Sequence, residues 1–132
     1  MLSCLTLSVS IDRVPADVYA FVRDVSTWPR WATGFCVSAR PSGEGWIVDT
    51  VDGPMPLRFA PPNDLGVLDH TVTVAPGVDV LNPMRVVPNA GGSEVLFTLF
   101  QPPGMSSERF ADDARLVRAD LHTLKAVLEA AR

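Results

Sequence analysis

Cysteine, histidine and clustered basic residues are scarce in this chain. Two of its 132 residues are cysteine and two are histidine. Cys4 and Cys36 lie far apart, and no Cys-x-x-Cys pair or Cys/His spacing typical of metal sites accompanies them. We therefore expect no metal and no cofactor. Both cysteines fall in predicted strands, and we interpret them as buried thiols in a reducing cytoplasm, where disulfides are rare.

Positive charge and long apolar runs are also lacking. Eleven Lys and Arg residues are outnumbered by fifteen Asp and Glu residues, and the net charge is -4 with a pI near 5.0. Nucleic-acid binding requires clustered basic residues, so nucleic acid is not an expected partner. No apolar run is long enough to span a membrane, and the first residues lack the pattern of a signal peptide. We therefore expect a cytoplasmic protein.

The composition that is present is typical of a globular domain. Hydrophobic residues make up 47% of the chain and charged residues 20%, which excludes a disordered class. The length allows one domain with a real core, so we predict a single domain over residues 1–132. Twelve prolines lie between periodic segments, which indicates a loop-rich sheet protein.

The last part of the chain predicts one long amphipathic helix. Its apolar residues alternate spacings of four and three, so they form one stripe along a helix: Phe110, Ala114, Val117, Leu121, Leu124 and Leu128. Ser106 or Ser107 can cap its start after a Pro-Pro-Gly breaker. We predict a helix from about residue 107 to about residue 130.

The remaining segments predict an antiparallel sheet. Leu5, Leu7, Val9 and Ile11 alternate with polar residues and form the clearest strand. Pro15 opens a short helix, and residues 24–31 form a second short helical segment. Six further strands are predicted at residues 34–40, 45–51, 55–60, 67–74, 79–88 and 94–100. The fold class is therefore α+β, with a curved seven-stranded antiparallel sheet around the C-terminal helix and two short helices between the first two strands.

Turn positions predict which residues share a face of the sheet. A two-residue turn at Asp52-Gly53 would place Val48 opposite Leu57. On the outer face we predict that Asp69 pairs with Arg58, and that Glu94 lies diagonal to Arg85. The predicted inner face comprises Trp46, Phe59, Leu68, His70, Val72, Asn82, Met84, Val86, Val95, Phe97 and Leu99.

Several of these segments resemble a known superfamily. They are VSIDRVPADVY at residues 9–19, Asp24 with WPRW at residues 28–31, GSEV at residues 92–95, and the DLHTLK segment of the last helix. Together they resemble the START-related helix-grip proteins, often called the SRPBCC superfamily. GVLDH at residues 66–70 and PMRVV at residues 83–87 resemble a polyketide cyclase/dehydratase-like subgroup. The resemblance implies a ligand cavity between the curved sheet and the long helix.

His70 is the best candidate for chemistry. A neutral imidazole in an apolar pocket acts as a general base or hydrogen-bonds a carbonyl group. The alternative is a core histidine tied to Asn82 or to a backbone carbonyl. Asn82 either orients a polar group of a ligand or satisfies a bulge beside Pro83. The candidate ligand-binding residues are Trp28, Trp31, Trp46, Phe59, His70, Asn82, Met84, Phe97 and Leu121.

Three functions follow from these residues. The favoured one is binding of a small hydrophobic or amphipathic molecule, such as a lipid, an acyl chain or an aromatic polyketide-like compound. The second is a cyclase or dehydratase that uses His70, and the third is a protein-interaction domain with a filled core. The partly apolar face of Leu96, Thr98 and Phe100 also predicts a homodimer.

Overall fold

The computed structural model describes residues 1–131 and shows an α+β architecture. Two short helices, α1 and a 3-10 helix, separate the first strand from the others, and a long helix ends the chain. The elements are β1 Cys4–Ile11, α1 Pro15–Arg23, the 3-10 helix Val25–Arg30, β2 Ser38–Ser42, β3 Gly45–Thr50, β4 Gly53–Phe59, β5 His70–Ala75, β6 Val78–Asn82, β7 Met84–Asn89, β8 Gly92–Phe100 and α2 Ser107–Ala130.

The described residues form eight strands in two antiparallel sheets, so the prediction of seven strands in one sheet is wrong. The strand order is β1-β8-β7 in one sheet and β2-β3-β4-β5-β6 in the other. The predicted strand 79–88 is divided at Pro83, which has no N–H to donate to a ladder. The two sheets are linked by the amide of Leu68, which donates to the Met84 carbonyl over 2.8 Å, and by the amide of Val86, which donates to the Gly66 carbonyl over 2.9 Å.

The long helix is confirmed from Ser107 to Ala130. The Ser106 side chain caps it by accepting a hydrogen bond from the Arg109 amide over 3.1 Å. One side of α2 rests on β1, where the Lys125 ammonium donates to the Ser10 carbonyl over 2.7 Å. The buried stripe of α2 therefore faces the concave side of the sheet: Ala114, Leu121, Leu124 and Leu128.

The predicted register is right for the pair β7 and β8 and shifted by two residues for the pair β3 and β4. Met84 lies opposite Phe97 as predicted. Val48 lies opposite Met55 rather than Leu57, because the turn uses residues 51–52 and Gly53 pairs with Thr50. Since side chains alternate with a period of two, a two-residue shift leaves every residue on its predicted face.

The shift changes which charges meet on the outer face. Arg58 pairs with Asp79 over 3.0 Å, and Asp69 pairs with Arg85 over 2.7 Å. The predicted Arg58–Asp69 pair is therefore wrong. Glu94 lies diagonal to Arg85 as predicted, but its carboxylate accepts hydrogen bonds from Ser10 and Asn89 instead. The Arg85 guanidinium and the Met84 amide both bond to the Asp69 carboxylate and lower its pKa.

Two predictions around the cysteines are also corrected. β2 runs from Ser38 to Ser42 rather than over residues 34–40, and Pro41 lies in this edge strand, where a missing N–H is tolerated. Cys36 precedes the strand and is buried, which raises the pKa of its thiol to about 11. Cys4 is exposed rather than buried, and both thiols are free.

Candidate functional site

An aromatic cluster surrounds His70 on the inner face of the sheet. His70 begins β5 and is 3% exposed. Its ring centroid lies 5.4 Å from that of Trp28, 5.5 Å from that of Phe59 and 5.9 Å from that of Phe97. Trp28 comes from the 3-10 helix, and Phe59 and Phe97 come from β4 and β8. Three separate parts of the chain therefore enclose one imidazole.

The hydrogen bond of His70 determines which of its nitrogens carries the proton. Nδ1 lies 3.0 Å from the Leu68 carbonyl oxygen. A carbonyl only accepts, so Nδ1 carries the hydrogen and Nε2 bears a free lone pair. Burial lowers the pKa of His70 from 6.5 to about 4, although the Leu68 carbonyl and Asp69 act in the opposite direction. The ring is therefore neutral at physiological pH. Its bond to the Leu68 carbonyl is the backbone contact predicted for a core histidine.

The lowered pKa predicts a pH-dependent loss of stability. In the unfolded chain His70 binds a proton below about pH 6.5, whereas the folded ring binds one only near pH 4. Protonation of His70 therefore favours unfolding as the pH falls through this window, and we expect it to lower the free energy of unfolding by about 2 kcal/mol between pH 7 and pH 5.

Urea unfolding of the wild type and of His70→Phe at both pH values measures this effect. The variant should lose about 2 kcal/mol less than the wild type over that interval. The raised pKa of Asp120 acts in the opposite direction, but it is common to both proteins and drops out of the difference. Equal pH dependence in the two proteins would show that His70 does not titrate as described.

The nine candidate ligand-binding residues divide by burial. Trp28, Trp31, His70, Met84 and Leu121 are buried, whereas Trp46, Phe59, Asn82 and Phe97 are half-buried. Asn82 is the cross-strand partner of His70, and the Trp31 ring lies 5.2 Å from that of Trp28. Trp46 instead lies beside Leu57, and Leu121 contributes to the buried stripe of α2. The structure therefore brings five of the other eight candidates together around His70: Trp28, Trp31, Phe59, Asn82 and Phe97.

Solvent reaches the inner face at the end of the sheet away from His70. Met55, Val80 and Leu99 belong to three different strands and point inward, yet each is only half-buried. Val117 of α2 is half-buried as well. Val48, Leu57 and Val72 lie deeper on the same face and are buried. The interior is thus closed around His70 and partly accessible to solvent at Met55, Val80, Leu99 and Val117.

Two surface depressions are found elsewhere in the described chain. One holds about 430 Å³ and is lined by residues of β2, β3, β4 and the turn between β2 and β3, among them Trp46 and Phe59. The other holds about 320 Å³ beside the β7–β8 turn and Lys125, and no candidate residue lines it. Neither lies between the sheet and α2, where the cavity was predicted.

The sequence analysis missed Asp120, an acidic residue on the inner side of α2. Asp120 is 9% exposed, and its carboxylate accepts a hydrogen bond from the Gly34 amide over 3.1 Å. Burial raises the pKa of this carboxyl group. The spacing alone could have predicted that Asp120 faces inward. It lies three residues after Val117 and four before Leu124, on the edge of the apolar stripe.

Neither metal ligands nor a membrane span is found in the part of the chain described. Residues 1–131 contain no group of three or more His, Cys, Asp or Glu side chains placed to hold a metal ion. None of their helices is both long enough and apolar enough to cross a membrane.

Solved structures with the same architecture are numerous, although their sequences are distant. XoxI from Bacillus cereus matches with a TM-score of 0.76 and 17% identity over 98% of this chain and 99% of its own. Ara h 8.0201 matches with a TM-score of 0.72 and 12% identity over 98% and 99% of the two chains. The chain has the helix-grip fold. A further helix-grip match is the Aha1 dimer from Colwellia psychrerythraea, with a TM-score of 0.76 and 11% identity over 96% of each chain.

These matches establish the helix-grip fold and nothing finer. No protein-family model matches the sequence, and no curated protein matches it either. The resemblance to the polyketide cyclase/dehydratase-like subgroup stays a prediction, because one fold hosts many unrelated functions.

Proposed function

We propose that this chain binds a small apolar or amphipathic molecule in the cleft between the concave face of the sheet and the first half of α2. The observation that carries the proposal is a set of inward-facing apolar residues that are only partly buried: Met55, Val80, Phe97, Leu99 and Val117. Inward-facing apolar surface that remains in contact with water favours a ligand, since each square ångström buried contributes about 25 cal/mol. The buried residues around His70 form the rigid inner end of the cleft, which we call its floor.

The open end also distinguishes ligand binding from a domain with a filled core. A filled core would bury the inner face along its whole length, as it does at Val48, Leu57 and Val72. Here the burial stops between neighbouring strands, because Val72 of β5 is buried whereas its cross-strand partner Val80, on the edge strand β6, is only partly buried. The change from buried to accessible within one cross-strand pair supports a cleft.

A second candidate function, proton transfer by His70 in a cyclase or dehydratase-like reaction, rests on the free Nε2 lone pair in an aromatic pocket. A general base works best when its pKa lies near the working pH. The pKa of His70 is lowered to about 4, so its conjugate acid is strong and the neutral ring is a weak base. This property favours a hydrogen-bonding role for His70 over proton abstraction, and therefore favours binding over catalysis.

Fluorescence titration with N-phenyl-1-naphthylamine, a neutral apolar probe, tests the proposal. Two adjacent residues of β6 provide a matched pair, because Val80 points inward whereas Leu81 is 52% exposed on the outer face. Val80→Arg places a charge and extra bulk in the cleft, and we expect it to weaken probe binding about tenfold or more. Leu81→Arg adds the same charge outside and should leave binding unchanged.

Two results would contradict the proposal. One is a wild-type protein that does not enhance probe fluorescence at any concentration tested. The other is equal probe affinity in Val80→Arg and Leu81→Arg, which would place the probe outside the cleft. Circular dichroism of both variants establishes that each remains folded before the titrations are compared.

A homodimer through the outer face of β8 stays a prediction. Leu96 and Thr98 of that face are half-buried, and Phe100 is 39% exposed. The Aha1 structure is described as a dimer, which supports this prediction without assigning the same interface.

A further inference from the structure

Two polar groups at the inner end of the cleft, His70 Nε2 and the Asn82 side-chain amide, have no partner within the described chain. His70 Nε2 makes no hydrogen bond there, since the single bond of the ring is at Nδ1. The Asn82 amide, which is half-buried, makes none either. The two residues are direct cross-strand partners, which places their Cβ atoms about 5 Å apart on the same face. An acceptor and an amide that can donate are therefore adjacent and unused.

His70 is almost fully enclosed, because 3% of its surface is exposed. Its Nε2 atom has no partner within residues 1–131, and its cross-strand partner Asn82 is half-buried. A hydroxyl group that entered beside Asn82 would satisfy Nε2, whereas a bare apolar ligand would leave it unsatisfied at a cost in affinity.

The cation described at the edge of the aromatic cluster is already engaged. Arg23 donates to the Ala60 carbonyl over 2.9 Å and lies over the Phe59 ring. Besides His70, the buried titratable groups described are Asp120, which is acidic, and Cys36, whose thiol has its pKa raised to about 11. Cations of the outer face and the surface are engaged elsewhere: Arg40 with Asp49, Arg58 with Asp79, Arg85 with Asp69, and Lys125 with Ser10 and Glu129.

We propose that the cleft selects an uncharged ligand with a hydroxyl group, a phenol or an alcohol, that donates its hydrogen bond to His70 Nε2 and accepts one from the Asn82 amide. This inference rests on the proposed function and adds the chemical class of the ligand. A carboxylate has no proton to give Nε2 at neutral pH, and Arg23 beside the cluster is already bonded to the Ala60 carbonyl. The rings of Trp28, Phe59 and Phe97 provide flat apolar contacts for the body of a phenolic or polycyclic molecule.

Three naphthalene probes of nearly the same shape test this selection at pH 7 by isothermal titration calorimetry. 2-Naphthol is a neutral donor, 2-methoxynaphthalene lacks the donor, and 2-naphthoic acid is an anion. We expect 2-naphthol to bind about tenfold more tightly than either of the others. His70→Phe keeps an aromatic ring in the cluster but removes the acceptor, and it should reduce the preference for naphthol over the ether to about twofold or less.

Asn82→Leu provides a second variant at a half-exposed position, in case His70→Phe does not fold. It should weaken the preference for naphthol over the ether by about threefold, and the ether itself should bind no worse than to the wild type. Equal binding of naphthol and ether to the wild type, tight binding of naphthoate, or an unchanged preference in both variants would overturn the hydroxyl inference while leaving the cleft intact. Failure of all three probes to bind would instead count against the proposed function.

Discussion

Replacing Trp28 with alanine should lower the free energy of unfolding by about 3–5 kcal/mol, because it removes the centre of the aromatic cluster. Trp28 is 3% exposed, and its ring lies 5.2–6.3 Å from four other rings, those of Trp31, Phe35, Phe59 and His70. Its indole N–H donates to the Val22 carbonyl over 2.8 Å and ties the 3-10 helix to α1. Truncation leaves both a cavity and an unsatisfied carbonyl.

Two further variants show whether the effect comes from this position. Trp28→Phe retains most of the ring contacts and loses the N–H, so we expect it to cost about 1–2 kcal/mol. Trp46→Ala removes a half-buried tryptophan with no ring contact to the cluster, and a loss of about 2 kcal/mol or less is expected. Urea unfolding of the three variants measures these losses. Similar losses for Trp28→Ala and Trp46→Ala would mean that the cluster does not stabilise the fold as inferred.

The parts of the fold that depend on local periodicity could be predicted from the sequence. Helix α2 follows from an apolar stripe and a serine cap, and both are properties of neighbouring residues. The inward direction of His70, Asn82 and Phe97 follows from the alternation of side chains along a strand. It holds even where the predicted register is wrong by two residues.

Features that depend on distant contacts could not be predicted in this way. Pro83 sits in an apolar run that looks continuous, and its division into β6 and β7 depends on which strand each half pairs with. The Asp69–Arg85 pair depends on that division, because the Asp69 carboxylate also accepts from the Met84 amide just after the bend. Local alternation carries no information about either contact.

The candidate site shows the same limit. The sequence indicates that His70 faces inward, but the position of Trp28 against it depends on how the 3-10 helix docks on the sheet. The lowered pKa and the tautomer of His70 follow from that docking and from the Leu68 carbonyl. The exposure of Val80 beside buried Val72 is likewise a property of the assembled cleft.

Replacing Gly66 with alanine should destabilise the protein more than any other glycine substitution at a left-handed position. Gly66 has a φ of +76°, and a Cβ atom there would overlap the Val86 carbonyl oxygen. The clash involves backbone on both sides, so neither group can rotate away. The Gly66 carbonyl also accepts the Val86 amide over 2.9 Å in the link between the two sheets. We expect a loss of about 2–5 kcal/mol, the sum of a left-handed penalty of about 1–2 kcal/mol and an overpacking cost of about 1–3 kcal/mol.

Gly77 provides the matched control, because its φ is +72° and nothing lies within 4 Å of the position of an added Cβ. Gly77→Ala should therefore cost only the left-handed penalty of about 1–2 kcal/mol. The difference in the free energy of unfolding between the two variants isolates the contact with Val86. If both variants lost the same stability, the close approach of residues 66–68 to β7 would be wrong. The floor of the cleft would then lose its support, since Leu68 in that segment holds the His70 ring through its carbonyl.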